Sequence, residues 1–230
     1  MTADKFPGTV VFDLDGTLVD SIADIALAMN RAFAESGLAG LPVETYRELV
    51  GEGATVTLTR GLTLQTGAAD PQQVEALHER FVLHYEAAPA THSLAYPGVV
   101  TLIETLAAAG TRLAVCTNKD QGPTDAILRA LDLERHFHAV VGVTPALPKK
   151  PDPAMLRAAI AGTGGSLADA VMIGDSKTDV ALARNTGVPV IVVSFGYSQT
   201  PARDLGADVV IDHYDQALGV LAEIAARRVA

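Results

Sequence analysis

The sequence has little cysteine, few aromatics and a shortage of positive charge. Of its 230 residues, one is a cysteine, Cys116, and aromatics make up 5%. A single thiol can form neither an internal disulfide nor a multi-cysteine zinc site, so nothing favours an oxidising compartment. Lysine and arginine number 17 against 27 acidic residues, a net charge of −10. With no basic block, nucleic acid and anionic membranes would both repel the chain, and neither is an expected partner. The longest apolar runs, such as residues 188–193, fall far short of the roughly 18 residues a membrane helix needs. Residues 1–7 carry Asp4 and Lys5 and no apolar stretch, so no secretory leader is expected. Gly51-x-Gly53 and Gly162-x-Gly164 do not follow a strand and open a helix, which argues against a dinucleotide site. The six histidines, at 78, 84, 92, 136, 138 and 213, show no paired metal spacing and read as solvated or structural. What remains is a cytoplasmic globular protein with 49% hydrophobic residues, enough for a real core.

Short β-branched runs recur at residues 9–12, 112–116, 139–143, 170–173, 190–193 and 208–211. Each is nearly continuous in its apolar character, which suits strands of a parallel sheet buried on both faces. Helical periodicity fills the gaps, at 99–109, 124–131, 153–161, 177–185 and 214–228. In the first of these Val99, Leu102, Ile103 and Leu106 share a face, and Gly110 sits where a helix would end. Strand–helix alternation predicts a doubly wound α/β fold with right-handed crossovers. One interval breaks the pattern. Between the first two strands the sequence shows no further strand, but helices at 21–35, 43–49, 54–65 and 71–88. Gly37, Gly40, Gly51, Gly53 and Gly67 punctuate them. The expected organisation is an α/β core of residues 1–17 and 94–230 with an all-helical cap of residues 18–93 inserted into it. Residues 162–166 read as a tight connector with Ser166 as an N-cap.

In an open parallel sheet, ligands bind beyond the carboxyl ends of the strands, near the point where strand order reverses. After the first strand come Asp13, Asp15 and Gly16; after the second, Thr117 and Asn118. After the third, beyond a short loop, come Lys149 and Lys150; after the fourth, Asp175, Ser176 and Asp179. Asp13 and Asp15 are two apart and face one side of an extended chain, and Gly16 frees the backbone to turn away. Asp13, Asp175 and Asp179 would repel one another unless a cation neutralised them. Clustered hard oxygens point to Mg²⁺, which usually shares its site with a phosphate. One carboxylate could then attack phosphorus, and a second could give a proton to the leaving alcohol and later take one from water. Thr117 Oγ, the Asn118 backbone amide and the Lys150 ammonium would hold the phosphoryl oxygens. Each piece alone has an ordinary explanation. D-x-D-G can be a turn, Thr117-Asn118 a helix N-cap, Lys150 a solvated lysine, and Asp175 with Asp179 a cap and a first-turn acid. Their placement after consecutive core strands argues for one shared site.

The segments VFDLDGTLVDS (11–21), CTN (116–118), KKPDP (149–153) and GDSKTD (174–179) resemble the four motifs of the haloacid dehalogenase superfamily. The resemblance covers essentially the whole chain, cap included. It implies a Rossmann-like core, a Mg²⁺ site and an aspartyl-phosphate intermediate. It also implies roles: Asp13 as nucleophile and metal ligand, and Asp15 as acid/base that ligates metal through its main-chain oxygen. Thr117 and Lys150 would bind the phosphoryl group, Asp175 would bind metal directly, and Asp179 directly or through water. Within the superfamily the chain is similar to phosphoglycolate phosphatases. The loop Val50-Gly51-Glu52-Gly53-Ala54, with Leu58 and Arg60 after it, resembles their cap loop, and the doubled lysine resembles theirs. Residues 142–148 (GVTPALP) depart from it, where those phosphatases usually carry a more acidic, glycine-rich loop.

The core residues read only a phosphoryl group, so the cap must choose the leaving group. Gly51, Glu52 and Gly53 lie between two expected cap helices, and the helix after Gly53 could offer amides to a substrate carboxylate. Glu52 would oppose that anion and is expected to point away or bond elsewhere. The expected substrate is a small phosphorylated metabolite, 2-phosphoglycolate first, acted on by a monomer or homodimer. Phosphatases of sugar phosphates, nucleotides or pyrophosphate, and sugar phosphomutases, are alternatives on the same motifs. A dehalogenase would need neither Asp15 nor a metal. A phospho-accepting receiver domain is about half this length and has no cap.

Overall fold

The structure, a computed structural model, describes residues 6–229. Of residues 1–7, where no leader was expected, only Phe6 and Pro7 fall among them. Two strands and four helices come first: β1 (Thr9–Phe12), β2 (Val19–Asp20), α1 (Ile22–Glu35), α2 (Val43–Leu49), α3 (Ala54–Thr66) and α4 (Pro71–Ala87). Then follow β3 (Leu94–Ala95), α5 (Val99–Ala108), β4 (Arg112–Asp120), α6 (Gln121–Ala130), β5 (Ala139–Val143) and α7 (Pro153–Gly162). The chain ends with β6 (Ala170–Gly174), α8 (Lys177–Thr186), β7 (Val190–Val193), β8 (Val209–Ile211) and α9 (Ala217–Val229).

Six strands form one parallel sheet in the order β5-β4-β1-β6-β7-β8. The near-continuous apolar runs are explained by burial on both faces. Val10 and Phe12 pack into one hydrophobic core and Val11 into another, and the same alternation holds for Leu113 and Val115 against Ala114 and Cys116. The fold is therefore the expected doubly wound α/β. Strand order reverses beside β1, so the carboxyl ends of β4, β1 and β6 lie side by side. Gly165 packs at the opposite edge, where an added Cβ would meet Thr9 Oγ1 at the start of β1.

The helices α1 to α4 lie within the interval assigned to the cap. Their core is built from Met29, Phe33, Tyr46, Leu58, Leu62, Leu77, Phe81 and Tyr85, all buried. Each fully buried leucine there contributes about 1.5–3 kcal/mol. The expectation of no strand in this interval needs correction. Val19 pairs with Ala95 and Asp20 with Leu94 in a two-stranded antiparallel ribbon that forms the neck of the insertion. Two residues are too few to show any hydrophobic period. The neck is tied by Asp24, whose buried carboxylate accepts hydrogen bonds from the amides of His92 and Ser93 and from the Ser93 hydroxyl.

Three boundaries also differ from expectation. β4 runs on to Asp120, because Thr117, Asn118 and Lys119 are buried although polar. Helix α6 begins at Gln121 and holds Pro123 in its first turn, where proline removes no helical bond. Residues 214–216 form a one-turn 3-10 helix before α9, capped by His213. Ser166 caps the short 3-10 turn at 167–169 by accepting from the Ala168 amide.

Candidate active site

The end of β1 sets the geometry. The Asp13 amide donates to the Ile173 carbonyl at 2.9 Å, which continues the sheet pairing one residue past the strand. The Leu14 carbonyl then accepts from the amides of Thr17, Leu18 and Val19, turning the chain away. Gly16 is required here. Its φ is +80°, and a Cβ would meet Asp175 Oδ2 at 2.6 Å.

Asp13, Asp175 and Asp179 each present one carboxylate oxygen, and these oxygens lie within 4.8 Å of one another. Lys150 Nζ reaches Asp13 Oδ1 at 2.9 Å and Asp179 Oδ1 at 2.7 Å. Asn118 holds this lysine in place: its Oδ1 accepts from the Lys150 amide at 2.8 Å, and its Nδ2 donates to the Lys150 carbonyl at 3.3 Å. The Asn118 side chain is thus occupied. Asp179 also closes a capping box at the start of α8, where its Oδ2 accepts from the Ser176 amide and hydroxyl and from the Asp175 amide. Asp175 Oδ2 accepts from the Tyr197 amide at 2.6 Å.

Burial pushes the Asp13 carboxyl up to about 6, with Asp179 adding to the rise and Lys150 opposing it. Burial also raises Asp175 well above the usual carboxylate range, and Asp179 and Asp13 raise it further. Lys150 moves up as well: burial works against its charge, but Asp13 and Asp179 outweigh it. Three buried carboxylates against one ammonium leave the site short of positive charge. A buried cluster of hard oxygen donors with that deficit fits a hard divalent cation.

Asp15 lies apart from this cluster. Its Oδ1 accepts from the Ser21 hydroxyl at 2.5 Å, and both its oxygens lie 3.2 Å from Lys119 Nζ. Thr117 is buried, and its Oγ1 accepts from the Lys119 amide at 3.3 Å.

The cap loop closes over these groups. Gly53 has φ +94° and precedes α3; a Cβ there would lie 2.9 Å from the Asn118 carbonyl and 3.1 Å from Lys149 Nζ. Its freedom from a side chain therefore serves contact with β4. Gly51 faces open space and serves only its positive φ of +117°. Glu52 is turned to Arg60, with 2.5 Å between carboxylate and guanidinium, and Arg60 also donates to the Leu49 carbonyl. The Arg60 hydrogen bond holds the Glu52 carboxyl below its ordinary value. A cavity of about 290 Å³ joins the two halves: Asp13, Asp15, Thr117, Asn118 and Asp175 line it from the sheet edge, and Gly51, Glu52 and Gly53 from the cap.

Sequence reasoning missed three supporting residues. Lys119 continues a buried strand past Thr117-Asn118, and a lysine there was a usable signal. Tyr197 follows β7 at the same sheet edge; its hydroxyl accepts from the Ser21 and Ile22 amides and donates to Asp20. The Ser21 side chain caps no amide of α1, and its hydroxyl donates to Asp15 instead. Cys116 is buried among Met155, Leu156 and Met172 on the other face of the sheet.

Comparison with known proteins bears on these groups. The profile of the haloacid dehalogenase-like hydrolases matches residues 10–193. A phosphoglycolate phosphatase of Caulobacter vibrioides is 44% identical over 206 residues, which cover 90% of this chain and 87% of that one. One of Rhodospirillum rubrum is 42% identical over 212 residues, covering 90% and 88%. The crystal structure of a predicted phosphoglycolate phosphatase from Haemophilus somnus superposes with a TM-score of 0.86 at 27% identity, covering 94% of this chain and 98% of that one.

Proposed function

The chain belongs to the haloacid dehalogenase-like hydrolases and is a phosphoric monoester hydrolase; from that premise we propose that it hydrolyses 2-phosphoglycolate to glycolate and phosphate through an aspartyl-phosphate. One observation carries the reading. Asp13 and Asp175 of the buried carboxylate cluster line the same small cavity as the cap loop, so a short ester can reach both.

Asp13, Asp175 and Asp179, with the Asp15 main-chain oxygen, would hold Mg²⁺. When bound, the ion offsets the charge of the phosphoryl group and of the carboxylates around it. An Asp13 carboxylate oxygen attacks phosphorus, and the bond from phosphorus to the ester oxygen breaks. Asp15 gives that leaving oxygen its proton. In the second half water attacks the same phosphorus, Asp15 takes the water's proton, and the acyl-phosphate bond breaks to restore the Asp13 carboxylate. Thr117, the Asn118 amide and Lys150 hold the phosphoryl oxygens in line.

The amides at the start of α3, beside Gly51 and Gly53, would receive the substrate carboxylate. Glu52, bound to Arg60, leaves that path open. The cap of residues 18–93 thus selects the leaving group, and the core of residues 1–17 and 94–230 supplies the chemistry. No described helix is long and apolar enough to cross a membrane. We place the enzyme in the cytoplasm, acting as a monomer or homodimer. The test is a Mg²⁺-dependent screen of 2-phosphoglycolate, hexose phosphates, nucleotides and pyrophosphate. The highest kcat/KM is expected for 2-phosphoglycolate, and a preference for hexose phosphates would refute the substrate.

A further inference from the structure

Three successive residues at the end of β4 meet the cap. The Asn118 carbonyl lies against Gly53, the Lys119 ammonium lies under the ring of Tyr85 in α4, and Asp120 bonds His78 of α4 at 2.6 Å. The Lys119 side chain reaches from this interface toward Asp15. Lys119 Nζ is 4.0 Å from the Tyr85 ring centroid and 3.2 Å from both oxygens of Asp15. Lys119 and Tyr85 are both buried. Asp15's other partner, Ser21, is the residue from which α1 departs. One of the groups that orient the Asp15 carboxylate, Ser21, thus leads into a cap helix, and the other, Lys119 of β4, packs against one.

We propose that Lys119 is the positioning residue for Asp15 and that the Tyr85 ring holds Lys119 in place, so that the seated cap aims the carboxyl used for proton transfer. The inference rests on the reading of Asp15 as acid/base given above. The geometry explains why a lysine does this. An ammonium equidistant from both carboxylate oxygens, with one hydroxyl bond to Oδ1, fixes the plane of a side chain that could otherwise change rotamer. The face of a buried ring attracts the ammonium and keeps water from it. Misplacing a reacting group by about 1 Å can lower a rate on the order of 10²-fold.

The experiment separates aiming from folding by the leaving group. In the Mg²⁺-loaded enzyme, kcat/KM reports phosphoryl transfer to Asp13. An alkyl ester such as 2-phosphoglycolate needs the Asp15 proton in that step, and p-nitrophenyl phosphate, with its good leaving group, does not. Lys119→Met is expected to lower kcat/KM for 2-phosphoglycolate on the order of 10²-fold, and for the aryl ester only slightly. Lys119→Arg should recover part of the loss. Tyr85→Leu should show the same selective pattern more weakly, while Tyr85→Phe, which keeps the ring, stays near wild type. If Lys119→Met does not fold, Lys119→Arg and Tyr85→Leu decide the matter through the same ratio of the two esters. Equal losses on both esters, or no loss on either, would overturn the proposal. A wild-type enzyme that releases phosphate from neither ester would instead remove the phosphatase reading, and the proposal with it.

Discussion

Replacing Lys150 by methionine removes the ammonium that stands between Asp13 and Asp179 while keeping a long apolar stem. The lysine side chain is 1% exposed and that of Asp179 0%. Removing one partner of a buried ion pair costs about 3–5 kcal/mol, because the other charge is left unpaired in a dry place. Here two carboxylates lose the same partner, but the loss should not double. Asp13 already sits at about 6 with the ammonium beside it, and without it that value climbs. Neutralising a carboxyl one unit below pH 7 costs about 1.4 kcal/mol, so the site takes up a proton before it holds three bare charges. A net loss of about 3–5 kcal/mol corresponds to a fall in Tm of about 6–20 °C for a chain of this size. The pH dependence has a definite sign. A carboxyl raised above its ordinary 3.8 in the folded chain favours folding when protonated. That contribution is complete only below the unfolded value of 3.8 and is lost as pH rises through the folded value of about 6. Since the variant raises that value, its deficit against wild type should be larger at pH 8 than at pH 5. Thermal melts followed by circular dichroism in chelated buffer at both values measure it, and added Mg²⁺ should narrow the gap by replacing the missing charge. A metal-free variant that melts with wild type at pH 8, or a deficit that grows on acidification, would refute the electrostatic account of the site.

Further outcomes follow from the same geometry. Asp13→Asn should abolish turnover with the melt preserved, since volume is kept and one of the mutually repelling charges is removed; wild-type turnover in a clean preparation would end the nucleophile assignment. Exhaustive chelation should stop phosphate release and Mg²⁺ should restore it. At about 100 times its Kd the ion should also stabilise the fold by about 2.7 kcal/mol, and a melt indifferent to Mg²⁺ would count against the cluster of Asp13, Asp175 and Asp179. Gly53→Ala should lower kcat/KM more than Gly51→Ala, because only the Gly53 Cβ would strike the Asn118 carbonyl; the reverse order would show that the loop does not seat there. Cys116, buried and pushed up to about 12 by that burial, should resist thiol reagents at pH 8 until the chain unfolds, as a time course of labelling would reveal.

What could be read from the sequence, and what could not, divides along a physical line. Residues that work at the end of their own strand show themselves locally. Asp13 follows TVVF in β1, and Asp175 follows AVMIG in β6, so an apolar run ending in an acid was enough to mark both. The doubled lysine lies beyond a loop after its strand, and only the fold separates the two: Lys150 enters the carboxylate cluster, while Lys149 reaches the cap loop. Residues that work by orienting those groups leave no such trace, because their partners are distant in the chain. Lys119 meets Asp15 across 104 positions, and the Tyr197 amide meets Asp175 across 22. The ribbon of β2 and β3 is invisible for a related reason, since two residues carry no period and each pairs with a partner on the far side of the four cap helices. Asp179 shows why single-role labels mislead. As a first-turn helix acid and as a member of the carboxylate cluster, one side chain serves twice. Its Oδ2 closes the capping box with Ser176, which fixes the side chain, and its Oδ1 is thereby aimed at Lys150 among the other acids. The cap of α8 is what makes Asp179 a rigid member of the site, so the ordinary structural role is the means by which the chemical one is achieved.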